Sequence, residues 1–179
     1  MKISKIKIGI LFFILFIMLV ETISLAISNV QEDNKEIKSI KESILEDETI
    51  ELNKEEQETL ELINKYRKQN GLECLKIYPK LQETAEIKAK DIVEKEYFSH
   101  TSPDLGTPFE LMDKTGVFYK VAGENLAGNI SPEKAVEAWI NSPTHKENIL
   151  EERFAYTGIS VVESPVYGRV FVQMFIGVE

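Results

Sequence analysis

The pattern of apolar and polar residues predicts a folded region built from helices first and strands last. Up to about residue 150, apolar residues recur three and four positions apart, which is typical of amphipathic helices. Residues 170–178 instead alternate with a period of two, which indicates a strand, and residues 156–162 are its expected hairpin partner. Because helices and strands do not alternate as in βαβ units, the predicted fold class is α+β and not doubly wound.

Most of the predicted helices begin at a recognisable start signal. Asn53, with Glu56 three residues later, fits a capping box, and Gly71 is a suitable C-terminal stop for this first helix. The other helices are predicted from about Lys80 to Lys95, from Thr107–Pro108 to Gly116, from Ser131–Pro132 onward and from Ser142–Pro143 onward. Trp139, at helical spacing from Val136, is expected in the core.

The N-terminal region has the character of an export signal. Basic residues precede an uncharged apolar run over residues 8–20, and the small residues Ala26 and Ser28 permit cleavage after Ser28. The alternative is an uncleaved anchor, because residues 8–27 are about one bilayer span long. In both cases the rest of the chain is expected outside the cell, either secreted or anchored at the outer face of the cytoplasmic membrane.

A change of composition separates this N-terminal region from the folded part. Residues 29–56 are rich in acidic residues, sparse in aliphatic residues and free of Gly and Pro. This composition is typical of a solvated linker. The predicted organisation is therefore a signal peptide or membrane anchor at residues 1–28, an acidic linker at residues 29–56 and a folded domain at residues 57–179.

Charge and cysteine content exclude several classes of function. The chain has 21 Lys+Arg against 30 Asp+Glu, for a formal net charge of −9. It lacks the basic cluster that neutralises phosphates, so nucleic acid is not an expected partner. Its one cysteine, Cys74, can form no internal disulfide, and this excludes a disulfide scaffold and a zinc ribbon. We expect Cys74 to be buried, flanked by Leu72 and Leu75, and the alternative is a thiol that pairs with another chain.

Five separate motifs carry a family resemblance. In chain order they are YFSHTSPDLGTPFELM (97–112), AGENLA (122–127), AVEAWINSPTHKENIL (135–150), TGISV (157–161) and FVQMF (171–175). Together they resemble the CAP superfamily, the SCP-type domain of cysteine-rich secretory, venom-antigen and plant pathogenesis-related proteins, and most of all its bacterial secreted branch. The resemblance implies an α-β-α sandwich with a central antiparallel sheet between helices. It also implies a cleft where two histidines and acidic residues converge.

The resemblance assigns residues to this cleft. His100 matches the first histidine of the family site, Glu124 its first glutamate and His145 its second histidine. In many eukaryotic members a second glutamate lies three residues after the helix tryptophan, here Trp139, and this chain has Ser142 at that position. The resemblance therefore implies a site that lacks one acidic group. The disulfides of the family are absent as well.

Two kinds of chemistry are open to these residues. If His100 and His145 meet, two neutral imidazoles can ligate Zn²⁺ or another divalent metal, with Glu124 as a third ligand or a general base. An open coordination position would lower the pKa of a bound water to about 7. In the alternative, each histidine hydrogen-bonds Glu124 or the backbone and orders a cleft without a metal.

Three further polar residues are candidates to line the cleft, and each has a structural alternative. Asn125 follows Glu124, but an asparagine in a glycine-rich loop is more often a turn residue. Ser142 precedes Pro143, so its hydroxyl is expected to cap the short helix. Gln173 faces opposite the main aliphatic row and can either reach the cleft or tie the sheet to a loop.

These observations favour a secreted or surface-anchored binding or interaction module over an enzyme. Its expected partner is a lipid, a wall component or another protein at the cell surface, and its contact with the membrane is expected only through the N-terminal segment. Two alternatives stay open. One is a metal-dependent hydrolase that uses a zinc-bound water with Glu124 as base, and the other is a structural surface protein with a vestigial cleft.

Overall fold

The computed structural model describes residues 50–178 together with Val30 and Gln31, so the predicted signal or anchor and most of the predicted linker lie outside the described residues. The elements between residues 50 and 178 are, in chain order, α1 (Lys54–Gln69), β1 (Lys76–Ile77), α2 (Pro79–Glu94), α3 (Pro108–Lys114), β2 (Val121–Asn129), α4 (Pro132–Asn141), α5 (Pro143–Leu150), β3 (Tyr156–Ser164) and β4 (Gly168–Gly177). Within this described part, no helix combines the length and apolar character needed to cross a bilayer.

The predicted helix starts are found in the structure, with one difference in how a helix is capped. The Asn53 side chain accepts hydrogen bonds from the backbone of Glu55 and Glu56, and the Glu56 carboxyl accepts one from the Asn53 N–H, which confirms the capping box. Ser142 is the N-cap of α5, but its side chain makes no capping hydrogen bond. The expected capping role of this hydroxyl is wrong, because it lies 3.5 Å from the Thr144 hydroxyl instead.

The strands form one mixed sheet with the order β1-β3-β4-β2. The predicted hairpin is confirmed, since β3 and β4 pair antiparallel along their lengths. Strand β2 pairs antiparallel with the other side of β4, and it places Glu124 opposite Met174 and Asn125 opposite Gln173. The expected antiparallel arrangement therefore holds for the three long strands, and the short strand β1 adds a parallel pairing with β3.

Strand β2 is the main element that the sequence analysis did not predict. Its glycines and asparagines favour a loop, but pairing with β4 over the whole strand overrides this local preference. At Gly123, a β-carbon would lie 3.0 Å from the Asn148 side chain, so glycine here allows α5 to approach the strand closely. The interpretation of Asn125 as a turn residue is therefore wrong, because Asn125 is a fully buried strand residue.

Helices cover both faces of the sheet and form the expected α-β-α sandwich. Helices α2 and α3 pack on the face that carries Val170, Val172, Met174 and Ile176. Helices α1, α4 and α5 pack on the opposite face, which carries Ile159, Val161, Phe171 and Phe175. The two sets of residues alternate along β4, as the period of two in the sequence predicts.

Two expectations about single core residues have different outcomes. Trp139 is 1% exposed, and its Nε1 donates a hydrogen bond of 2.9 Å to the Leu126 carbonyl, which confirms its place in the core. Cys74 is half-buried, so the expectation of a buried thiol is wrong. The neighbouring Leu75, at 2% exposure, enters the core in its place.

Close backbone contact fixes α2 on the sheet. A β-carbon at Gly158 of β3 would overlap the backbone of Leu81 and Gln82 in α2, so only glycine permits this approach. The Gln82 side-chain amide also donates a hydrogen bond of 2.6 Å to the Ile159 carbonyl and accepts one of 2.8 Å from the Ile159 N–H. Helix α2 is therefore held at a defined height over the strands, and the side chains along it are placed accordingly.

A buried arginine fixes the C-terminal end of α5. Arg67 of α1 is 1% exposed, and burial lowers the pKa of its guanidinium. It donates hydrogen bonds of 2.7–3.1 Å to the carbonyls of Ile149, Glu151 and Phe154, and a further one to Glu73. A cation at a helix C-terminus also complements the helix dipole. This contact orients α5, the helix that carries His145.

We expect Arg67→Met to lower the free energy of unfolding by about 4 kcal/mol or more, because four carbonyls lose their donors at about 1–3 kcal/mol each. The matched control is Lys68→Met, at an exposed position of the same helix, which should change stability little. Urea denaturation of both variants is the measurement. Equal losses in the two would show that Arg67 does not anchor α5.

Candidate functional site

The candidate site is centred on a buried carboxyl in the edge strand β2. Glu124 Oε1 lies 2.7 Å from Nδ1 of His100, which belongs to the loop after α2. The Glu124 side chain is 1% exposed, whereas that of His100 is 53% exposed. The second carboxyl oxygen, Oε2, is also buried and has no hydrogen-bond partner among the described residues. The pair therefore links an accessible imidazole to a buried acid with one free oxygen.

His145 completes the group that the resemblance implied. It lies on α5, and its ring centroid is 6.4 Å from that of His100, with the two rings inclined at 43°. Successive residues of a strand face opposite sides of a sheet. Glu124 therefore faces the α2 side while Asn125 faces the α5 side, and the two histidines approach each other at the edge of β2. The three predicted site residues lie together. We call this group the His100–Glu124–His145 cleft, after the cleft that the resemblance implies.

Asparagine side chains attach α5 to β2 beside this cleft. Asn125 Nδ2 donates a hydrogen bond of 3.0 Å to the His145 carbonyl. Asn148 Nδ2 donates a hydrogen bond of 2.9 Å to Asn125 Oδ1 and another of 3.2 Å to the Glu124 carbonyl. The sequence analysis missed Asn148. Its position in the sequence could have indicated it, since Asn148 is three residues after His145 and so lies on the same face of the helix.

The other predicted lining residues lie farther into the framework. Gln173 is fully buried, and its Nε2 is 3.3 Å from Thr157 Oγ1. This hydrogen bond joins β4 to β3, so the expectation that Gln173 ties the sheet to a loop is wrong. Ser142 is half-buried at the start of α5, three residues before His145. For both residues, a role in lining the cleft stays a prediction.

A lysine beneath His100 is the second residue that the sequence analysis missed. Lys88 of α2 is 1% exposed, and its ammonium donates to the carbonyls of Ser99 and His100. Its signal is present in the sequence. Lys88 is seven residues after Leu81 and four before Ile92, so a lysine occupies a position of the apolar stripe of this helix.

Burial changes the proton affinity of both Glu124 and His145. Burial raises the pKa of Glu124, and the hydrogen bond from His100 and the charge of Lys88 oppose this rise. Burial lowers the pKa of His145, and the neighbouring His100 lowers it further. The folded protein therefore favours a neutral imidazole at His145, which has a lone pair that can accept a hydrogen bond.

The described residues at the cleft supply fewer ligands than a catalytic zinc centre uses. With Zn–N bonds of about 2.0–2.1 Å, two imidazoles on one ion place their ring centroids about 5–6 Å apart. The observed separation is 6.4 Å, and the contact of Nδ1 of His100 with Glu124 leaves Nε2 as the ring nitrogen available to an ion. Catalytic zinc sites use three protein ligands, whereas no group of three or more histidine, cysteine or acidic residues in the described part is placed to hold a metal. Binding of a divalent ion by His100 and His145 stays a prediction.

Comparison with known proteins decides the family. Residues 60–175 match the family model "CAP: Cysteine-rich secretory protein family". The chain belongs to the CAP family. Among its relatives, the YkwD protein of Bacillus subtilis is 43% identical over 123 residues, which cover 68% of this chain and 47% of YkwD. The chain thus spans about half the length of this relative.

Solved structures support the same assignment. An extracellular protein of Bacillus anthracis that contains an SCP domain has a TM-score of 0.65 and 31% identity, over 70% of this chain and 41% of that one. An outer surface protein of Borrelia burgdorferi has a TM-score of 0.66 and 25% identity, over 73% of this chain and 97% of that one. Both are bacterial, in agreement with the branch of the CAP family that the motifs resembled.

The lowered pKa of His145 predicts a specific pH dependence of stability. In the unfolded chain this histidine titrates near its ordinary value of about 6.5, so below that pH the unfolded state binds more protons than the folded state. Stability is therefore lost as pH falls from about 7.5 to 5.5. We expect His145→Gln to reduce this loss, as measured by urea denaturation at both pH values. The control is Lys146→Gln, and an unchanged pH dependence in His145→Gln would contradict the account.

The hydrogen bonds of Asn125 predict that it holds α5 in place. We expect Asn125→Ala to lower the free energy of unfolding by about 1–3 kcal/mol, because the amide leaves buried partners unsatisfied. The imidazole NMR signals of His145 should also broaden or shift. Asn129→Ala, at the end of the same strand, is the control. If His145 is undisturbed in Asn125→Ala, its position does not depend on this contact.

Proposed function

We propose that this CAP-family chain is an extracellular, non-catalytic binding module. The His100–Glu124–His145 cleft receives a polar group of a ligand at the cell surface. The observation that supports this most directly is the buried, unpartnered Oε2 of Glu124. Buried polar atoms in proteins are nearly always hydrogen-bonded, so an orphaned carboxyl oxygen beside an accessible histidine is a candidate ligand contact.

The chemistry of the cleft indicates which group it takes. An unsatisfied buried acceptor costs about 1–3 kcal/mol, which a ligand donor can recover. A hydroxyl, amine or amide N–H is such a donor. His145, held toward its neutral form, can accept a second hydrogen bond from the same ligand. His100 is exposed enough to contact a group that enters from solvent. Sugars and peptides of a cell wall carry these donors.

Two features make hydrolysis the weaker alternative. Ser142 stands where many eukaryotic relatives have a second acid, and the described residues contain no group of three or more side chains placed to hold a metal. In addition, Glu124 holds Nδ1 of His100, so this carboxyl acts first as an orienting group. The third interpretation, a vestigial cleft, leaves the orphaned Oε2 without a role.

The proposed extracellular location has two supports. The Bacillus anthracis neighbour is described as extracellular and the Borrelia burgdorferi neighbour as an outer surface protein. The apolar run at residues 8–20, preceded by lysines, has the composition of a signal or anchor. Whether the leader is cleaved or retained changes the tethering of the domain but not the ligand chemistry of the cleft.

Peptidoglycan fragments test the proposal, because they present hydroxyl and amide donors. We expect the fragments to shift the imidazole NMR signals of His100 and His145, with a change that reaches a plateau as the fragment concentration rises. Glu124→Gln should weaken binding by about tenfold or more, since a hydrogen bond to a charged group contributes about 1.5–3 kcal/mol. The control is Glu137→Gln, at an exposed position of α4.

The remaining outcomes of this experiment separate the alternatives. Turnover of the fragments that disappears in Glu124→Gln would establish the hydrolase and overturn a non-catalytic role. Absence of any shift with peptidoglycan fragments, anionic lipid vesicles and Zn²⁺ would favour a vestigial cleft. A response to Zn²⁺ alone, lost in both His100→Ala and His145→Ala, would assign the two histidines to a metal.

A further inference from the structure

Lys88 is a buried cation without a direct ion pair in the described part of the chain. Its residue exposure is 1%, on the face of α2 that packs against the sheet. Taking an ammonium out of water is costly unless its donors are all used. Burial indeed lowers the pKa of Lys88. An apolar side chain at this position would avoid that cost, so the presence of the charge calls for a physical reason.

The ammonium is matched by three oxygen acceptors. Nζ lies 2.9 Å from the Tyr97 hydroxyl, 3.0 Å from the Ser99 carbonyl and 2.9 Å from the His100 carbonyl. An ammonium carries three donors on one atom, so every donor has a partner. Two of the three acceptors are backbone atoms of consecutive residues, and the second of these belongs to His100 itself.

A second set of hydrogen bonds supports the same loop. The Tyr97 hydroxyl donates a hydrogen bond of 2.6 Å to Asp91 Oδ2, and the Ser102 hydroxyl donates one of 2.6 Å to the same oxygen. The Asp91 carboxyl thus holds both ends of residues 97–102, and Lys88 holds the middle. The chain enters this loop through Glu96, whose φ of 53° is in the left-handed region, so its course depends on being held from outside.

We propose that Lys88 is a positioning residue of the His100–Glu124–His145 cleft: its ammonium fixes the Ser99 and His100 carbonyls, so that Nδ1 of His100 meets Oε1 of Glu124. The hydrogen bond to Glu124 selects the imidazole tautomer with the proton on Nδ1, and Nε2 has no hydrogen-bond partner among the described residues. The relevance for ligand binding rests on the proposed function, whereas the positioning itself is a property of the free protein.

The experiment measures the tautomer of His100 in the free protein. Lys88→Met retains much of the side-chain volume and removes the charge and the donors. The ¹⁵N shifts of the two imidazole nitrogens report which nitrogen carries the proton. We expect the wild-type protein to show one fixed tautomer, and Lys88→Met to show the two shifts moving toward the average of an untethered imidazole. Lys90→Met is the control, because Lys90 is an exposed lysine on the same helix.

A chemical rescue separates positioning from a merely structural role. In a Cys74→Ser background, the thiol introduced by Lys88→Cys is alkylated in denaturant with 2-bromoethylamine, and the chain is then refolded. The sulfur displaces bromide, and the product carries an ammonium on a chain of nearly the original length. Restoration of the fixed His100 tautomer supports the proposal. If the refolded protein regains its stability while the tautomer stays averaged, the proposal is overturned.

A milder variant covers the case in which Lys88→Met does not fold. Tyr97→Phe removes one acceptor of the ammonium, together with the hydrogen bond from this hydroxyl to Asp91, and leaves the two carbonyls in place, so we expect a partial move of the His100 shifts toward the average. Unchanged shifts in a folded Lys88→Met, or in Tyr97→Phe when Lys88→Met does not fold, would contradict the proposal. If peptidoglycan fragments do not bind but the His100 tautomer still changes in Lys88→Met, only the proposed function is refuted.

Discussion

The candidate site depends on one interaction, the hydrogen bond between the buried Glu124 carboxyl and Nδ1 of the exposed His100. Burial makes this carboxyl costly to ionise, and the imidazole and the nearby Lys88 offset part of that cost. The bond also decides which nitrogen of His100 is available to a ligand. A single contact therefore sets both the electrostatics and the hydrogen-bonding pattern of the cleft.

The rest of the fold holds the two sides of this contact from opposite faces of the sheet. On one face, Gly158 lets α2 pack closely on β3, and α2 presents Lys88 to the His100 loop. On the other face, Arg67 fixes the end of α5, and Asn125 attaches the same helix to β2 beside His145. These polar contacts are buried, and buried polar networks specify a geometry more sharply than apolar packing does.

Sequence reasoning predicted elements whose signals are local and missed those whose cause is tertiary. The Asn53–Glu56 capping box and the alternation in β4 are visible in short stretches, and both are present in the structure. Strand β2 has the composition of a loop and becomes a strand because β4 pairs with it. The members of the cleft came from the family resemblance, since 45 residues separate His100 from His145 in the chain. Lys88 was overlooked because a charged residue in an apolar stripe is usually solvated, and only the folded loop supplies its acceptors.

The central claim is that Oε2 of Glu124 is a free acceptor for a ligand donor. The most direct measurement is the ¹³C shift of the Glu124 carboxyl in selectively labelled protein, with and without saturating peptidoglycan fragments. The account predicts that this carboxyl signal shifts on saturation as Oε2 gains a hydrogen bond, while the carboxyl signal of the exposed Glu137 stays in place. A Glu124 carboxyl signal that is unchanged in the ligand-saturated protein would contradict it.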